Sequence, residues 1–194
     1  MRKTPFNMIE VLLALGVIAI DAVSIMALFP YGFASSRDSV AESFAGDSAD
    51  QFLHWFAAQA RTPGGWAITA DPTWLPAAKP SVPAPGASET PAWGAAVAIT
   101  PNLQYQQHSA DAGVLKVVFQ RGSAAMPIVD FSSVYRLWRE DVTTPNPNPT
   151  VGGSITMNPL SALAINLEAS WPAELPYQRR QKAVYRLEVF KPGT

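Results

Sequence analysis

Between Phe6 and Phe33 the chain reads FNMIEVLLALGVIAIDAVSIMALFPYGF, and no other stretch restricts its folding as strongly. From Val11 to Leu28 there are eighteen residues, and Asp21 is their single charge. At a rise of about 1.5 Å per residue they cover about 27 Å, close to the hydrocarbon thickness of a bilayer. The stretch predicts a membrane-spanning helix. Glu10 stands at its head, and Asp21 lies inside it. A charged side chain in hydrocarbon costs about 2.5–3.5 kcal/mol even on lenient insertion scales. Glu10 therefore calls for a partner, and a positive group on a neighbouring copy of the chain would supply one.

Arg2 and Lys3 precede the run, and the next basic residue is Arg37. The positive-inside rule keeps the N-terminus cytoplasmic and sends the chain after about Tyr31 across the membrane. A secretory signal peptide would share the basic start, and Gly32-Phe33-Ala34 offers a weak cleavage site. Its apolar core would be shorter, at about 7–15 residues, and would not open on an acid. An ordinary single-span anchor explains the length but gives Glu10 and Asp21 no role.

The 194 residues suggest one globular domain beyond this segment. A net charge of -1 argues against a nucleic-acid partner, which selects for a basic excess or stripe. Cys is absent, so there is neither a disulfide frame nor thiolate chemistry, and this alone does not fix the compartment. Two His residues exclude a His-rich metal site.

The run Phe6-Asn7-Met8-Ile9-Glu10-Val11-Leu12-Leu13-Ala14-Leu15 resembles the class III signal of type IV pilins and type II secretion pseudopilins. The shared pattern is a short basic leader, a Phe that becomes the first mature residue, a Glu four residues on, and an apolar helix. The resemblance implies cleavage before Phe6 by a prepilin peptidase, with methylation of the new amine. It also implies that Glu10 pairs with the N-terminal amine of an adjacent subunit. Pro5 departs from the pattern, because the family almost always has Gly there. Its fixed φ and missing N–H fit a peptidase site poorly. The likeness covers about residues 6–33 and is looser beyond. The Trp171-Pro172 pair, Arg179-Arg180 and the last strand resemble PilV-like minor pilins. Phe29-Pro30-Tyr31-Gly32 resembles the end of the membrane segment in pilin-like cassette proteins of the Verrucomicrobia.

Asp21 follows Glu10 by about 16 Å of helix. It is a protonated or snorkelling acid, local wear in a minor subunit, or a second polar contact between subunits. Pro30 and Gly32 interrupt the apolar run and predict a kink. Past them, residues 35–61 read as helix again. Phe33, Val40, Phe44, Phe52, Leu53, Phe56 and Ala60 recur mostly at steps of three and four, which predicts one apolar face for packing on a sheet. Thr62-Pro63-Gly64-Gly65 ends the helix.

The Pro-rich stretch 71–91 excludes helix and central strand and predicts an extended, partly polyproline surface loop. Strand patterns follow at 95–100, 114–120, 132–140, 162–169 and 183–190. The third of these, with Val134, Leu137 and Trp138 among Tyr135, Arg136 and Arg139, reads as exposing one face. Strands in succession without intervening helices predict an antiparallel sheet.

No catalytic motif emerges, so the chain reads as a non-enzyme without a cofactor. Asp47, Asp50 and His54 share a helix face, which fits a solvated face better than a metal site. His108 sits in a polar loop and reads as exposed. Asp130, Glu140 and Asp141 fit no Ca²⁺-loop spacing. Trp66, Trp74 and Trp93 flank or lie in the Pro-rich loop. They either form a ligand platform or pin the loop down, while Trp55, Trp138 and Trp171 read as structural.

The combined expectation is an α+β protein with a leader at 1–5 and a transmembrane or filament-core helix at 6–30. An amphipathic continuation follows at 31–61, then an exported β-rich head at 62–194. The expected function is structural. A minor pilin or pseudopilin would assemble through its N-terminal helix into a type IV pilus-like filament or a type II secretion pseudopilus. Pro5 and Phe6 would form the processing site, and Phe6, Glu10 and Asp21 the assembly contacts. Its partners would be other pilin or pseudopilin subunits, the prepilin peptidase and inner-membrane lipid. It would reside in the inner membrane with a periplasmic head, or in a filament. The alternative is a single-span envelope protein whose head binds a ligand such as a glycan.

Overall fold

The computed structural model describes residues 7–82, 93–123, 126–146, 153–159 and 161–191. The expected leader at 1–5, the expected processing site Pro5-Phe6, and positions 83–91 of the Pro-rich loop lie outside the described residues. Helix α1 spans Met8–Ala60 and a short helix, α2, spans Ala67–Ala70. The strands are β1 (Val97–Ala98), β2 (Leu103–Gln107), β3 (Val114–Ser123), β4 (Met126–Asp141), β5 (Thr143–Pro145), β6 (Ser154–Thr156), β7 (Ala162–Trp171) and β8 (Gln181–Phe190). The fold is α+β, with a long N-terminal helix and an antiparallel sheet ordered β1-β2-β3-β4-β7-β8. β5 and β6 form a separate ribbon between β4 and β7 in the chain.

The chain divides into two compact units, Met1–Glu42 and Ser43–Thr194. The C-terminal part of α1, from Ser43, thus belongs to the same unit as the sheet, where the sequence reading began the head at residue 62. Helical backbone continues through Pro30 and Gly32, although Pro30 cannot donate the usual helical N–H to the Met26 carbonyl. The helix stops where the Gly-Gly pair was expected to stop it. Thr62 Oγ1 donates to the Gln59 carbonyl at 2.7 Å, and Gly64 takes a left-handed φ of 78°.

Within the second unit α1 buries Ala45, Ala49, Phe52, Leu53, Phe56, Ala57 and Ala60. Phe52 meets Tyr105 of β2 and Tyr135 of β4 edge-on, at 6.1 and 5.7 Å between centroids. Phe44 lies 5.3 Å from Phe119 of β3 and 6.1 Å from Phe131 of β4. Full burial of a ring such as Phe52 contributes about 1.5–3 kcal/mol. Ser48 and the Tyr135 hydroxyl share a hydrogen bond of 2.7 Å inside the core, and burial pushes the Tyr135 pKa up.

Several expectations are corrected. Phe33 and Val40, placed on the sheet-facing stripe by their spacing, are 71% and 53% exposed and precede the sheet-bearing unit. β4, expected to expose one face, is buried on both from Phe131 to Trp138. The reason is that chain segments return over its far side. β1 is two residues long where 95–100 was expected, and β2, β5 and β6 were not anticipated.

Candidate functional site

The N-terminal part of α1 presents one continuous apolar surface. Its large apolar side chains from Met8 to Phe33 are between 48% and 80% exposed. Soluble monomers rarely expose contiguous apolar patches beyond a few hundred Å². This helix is long and apolar enough, by length and composition, to cross a membrane. Ser24 Oγ donates to the Ile20 carbonyl at 2.8 Å, which satisfies its hydroxyl within the helix. Phe29 and Phe33 stack at 6.2 Å near the end of the run.

Glu10 occupies the first turn of α1, where a carboxylate interacts favourably with the helix dipole. Asn7 precedes the helix, its carbonyl accepting from Glu10 N at 2.9 Å. Asn7 with Glu10 three residues later has the spacing of a capping box. Among the described residues neither Glu10 nor Asp21 has an ion-pair partner. Both acids are exposed on the apolar helix.

On the sheet face opposite α1, sequence reasoning missed a buried charge cluster. Arg136 of β4 and Glu168 of β7 stand directly across from each other, 3.4 Å apart and almost wholly buried. Lys79 reaches in from the segment after α2 and donates to Glu168 Oε2 at 2.6 Å. The Tyr177 hydroxyl donates to Glu168 Oε1 at 2.8 Å. The Arg136 guanidinium lies 4.0 Å from the centre of the Tyr177 ring, and Lys182 lies 4.4 Å from it. Lys79 also sits 5.0 Å from the Trp138 ring.

Burial opposes ionisation of Glu168. The hydrogen bonds from Lys79 and Tyr177, with the charges of Lys79 and Arg136, outweigh it and hold the carboxyl below its ordinary pKa. Arg180 fixes the loop that delivers Tyr177, donating to the carbonyls of Leu175 at 2.7 Å and Ala173 at 2.9 Å. The oxygens of Glu168 are thus committed to fastening two crossing segments onto the sheet.

Two of the tryptophans of the expected ligand platform pack on other rings. Trp74 packs edge-on against Tyr105 at 5.5 Å, and Trp93 packs edge-on against His108 at 5.2 Å. Trp66, Trp74 and Trp93 are all half-buried, and among the described residues no ring contact joins any two of them. His108 is not exposed as its polar loop suggested, since its side chain is 15% accessible. Its Nδ1 accepts the backbone N–H of Asp111 at 2.9 Å, and a depression of about 400 Å³ lies beside this turn, lined by Thr73, Gly94, Gln107 and His108.

Asp50 and His54 form an exposed pair at 3.3 Å. Asp130 pairs with Arg121 at 3.1 Å, and Glu140 with Arg186 at 3.2 Å. No protein-family model, curated protein or solved structure matches the chain.

Proposed function

We propose that this protein is a structural, pilin-like subunit. It acts as a minor pilin or pseudopilin that joins a type IV pilus-like filament or a type II secretion pseudopilus through its N-terminal helix. The observation that carries the reading is the exposed apolar surface of α1 from Met8 to Phe33, headed by an acid without an ion-pair partner among the described residues. Such a surface has to be covered by lipid, by sister helices, or by each in turn. Packed sister helices would give Glu10 the cation it lacks within one chain, because a charge in lipid is tolerated when paired. In this reading the N-terminus is cytoplasmic, the head is periplasmic, and a prepilin peptidase cleaves between Pro5 and Phe6.

The test combines N-terminal sequencing of membrane-extracted protein with an assembly assay. A mature chain starting at Phe6, dependent on a prepilin peptidase, supports the proposal. Glu10→Ala should leave membrane insertion intact and abolish co-assembly with other subunits. An unprocessed chain that never leaves the bilayer as a filament, or unchanged incorporation of Glu10→Ala, would overturn it in favour of a simple anchor.

A further inference from the structure

The two edges of the six-stranded sheet are unlike. β1 closes one edge with two residues, and a very short strand is a common guard against edge pairing. β8 closes the other edge with ten residues, paired to β7 from Gln181 to Phe190 without a bulge or a proline. The direction of its backbone groups follows from one bond. Lys191 N–H donates to the Ser161 carbonyl at 2.8 Å, one step beyond the Phe190–Ala162 pair. Hydrogen-bonded and non-hydrogen-bonded pairs alternate in an antiparallel ladder, so Ala183, Tyr185, Leu187 and Val189 turn their N–H and C=O groups toward β7. Those of Lys182, Val184, Arg186, Glu188 and Phe190 point away from the sheet. Among the described residues no strand or loop backbone takes them up.

The side chains of the same five residues are exposed, and Val184 and Phe190 are 60% and 49% so. Arg186 serves two carboxylates, Glu140 at 3.2 Å and Glu188 at 3.6 Å. The ring contacts of α1 fall on β2, β3 and β4, two strands short of this edge. Two antiparallel copies of β8 can bond only where outward residues face each other. A twofold at Val184 sets Lys182 against Arg186, and one at Arg186 sets Arg186 against its own copy. A twofold at Glu188 does the same for Glu188, and like charges directly opposite are destabilising. A twofold at Tyr185 pairs Lys182 with Glu188 but sets Arg186 against Val184 and leaves Phe190 beyond the start of the facing strand. A twofold at Leu187 matches every outward residue from Val184 to Phe190. Arg186 then stands opposite Glu188, and Val184 opposite Phe190, each pair occurring twice.

We propose that two copies of this chain join through their β8 edges, antiparallel about a twofold at Leu187, so that the sheets of two heads run on as one. The outward backbone groups of Val184, Arg186, Glu188 and Phe190 bond to those of the second copy, and the complementary side-chain pairs fix the register. The contact lies wholly in the head. It goes beyond the proposed assembly through α1 and does not depend on it.

The absence of Cys from the chain makes the test direct. Full-length Val184→Cys and Phe190→Cys are purified separately in detergent, mixed and oxidised. Hydrogen-bonded residues directly opposite each other in an antiparallel pair have Cα atoms about 5.5 Å apart, within disulfide reach. A disulfide-linked dimer should form in the mixture. Neither variant alone should give one, because equal positions lie about 20 Å apart along the paired strands. Adding Glu188→Arg to both members should abolish the linked dimer. Glu188→Arg on one member with Arg186→Glu on the other should restore it. The yield should hold in Glu10→Ala, so that failure of assembly through α1 and failure of this contact are read separately. No linked dimer in the mixture, a dimer formed equally by either variant alone, or a charge exchange that restores nothing overturns the proposal. A linkage that requires Glu10 also overturns it, since the edges would then meet only as a consequence of helix association.

Discussion

Removing the Glu168 carboxylate should unfold the head more readily than any loss of surface charge, because Arg136 cannot follow its partner into water. Glu168→Leu leaves three former donors. Lys79 is 42% exposed and can swing out to solvent, so its loss is worth at most about 1 kcal/mol. The Tyr177 hydroxyl forfeits one hydrogen bond, about 1 kcal/mol. Arg136 is 3% exposed, pinned between β4 and the Tyr177 ring, and it remains as a buried charge without its carboxylate. Breaking a buried pair from one side typically costs about 3–5 kcal/mol, so this term dominates. With a urea m-value of about 2 kcal/mol/M, the midpoint should fall by about 1.5–2.5 M, followed by Trp fluorescence of the detergent-solubilised chain. The double variant Arg136→Met/Glu168→Leu removes both charges and should recover most of the loss. A single variant within about 1 kcal/mol of the parent, or a double variant as unstable as the single, refutes the assignment of the cost to a stranded guanidinium. The pH dependence has a defined sign. The Glu168 carboxyl is held below its ordinary value of 4.5 in the folded state. Its stabilisation is therefore fully present above that value and is lost as pH falls through the lowered one. The stability gap between the parent and Glu168→Leu should be constant near neutrality and should shrink below about pH 4.

Two substitutions probe the rest of the head. Gly113 has a φ of 70°, and a Cβ there would lie 2.6 Å from the Leu137 carbonyl oxygen and 2.7 Å from Pro76 Cδ. Gly113→Ala should therefore cost about 1–3 kcal/mol in chemical denaturation, and a neutral effect would contradict the close approach of this turn to β4. Phe52→Ala removes a fully buried ring between Tyr105 and Tyr135. It should cost about 3–5 kcal/mol and be detected as a lowered unfolding midpoint.

The sequence disclosed α1, the α+β class and five of the strands, because these rest on periodicity. β7 alternates through Ile165, Leu167 and Ala169, and β8 through Tyr185, Leu187 and Val189, so their core faces could be read directly. β2 escaped because Leu103-Gln104-Tyr105-Gln106-Gln107 carries only two apolar residues, and its burial depends on Phe52 and Trp55, about fifty positions earlier. The apolar stripe of α1 was followed too far toward the N-terminus. A 3.6-residue period shows which face is apolar but not where the covering sheet ends, and Phe33 and Val40 fall outside that cover. The Glu168 cluster was invisible for a different reason. Lys79, Arg136, Glu168 and Tyr177 come from three separated segments, and only the register of β4 against β7 brings two of them together. One local signal was available: Asn166 and Glu168 alternate with residues that all point into a core, which leaves them on the second face of a central strand.

Glu10 has two roles that its position alone does not separate, and their magnitudes do. As the acid of a first helical turn it gains about 0.3–1 kcal/mol from the helix dipole, a local contribution whose loss frays a turn. As the paired charge of a proposed assembly it would carry about 2.5–3.5 kcal/mol, the cost of a charged group left unpaired in hydrocarbon. The first value corresponds to a factor of about 2–5 in an equilibrium, and the second to a factor of about 60–300, at about 1.4 kcal/mol per decade. Glu10→Gln retains the size and hydrogen-bonding capacity of the side chain and removes only the charge. A fall in subunit incorporation by about two orders of magnitude, with insertion unchanged, is the scale that inter-subunit pairing demands. A fall of no more than about fivefold would reduce Glu10 to a helix-start residue, and the reason for an acid at the head of this apolar surface would then lie in the helix itself.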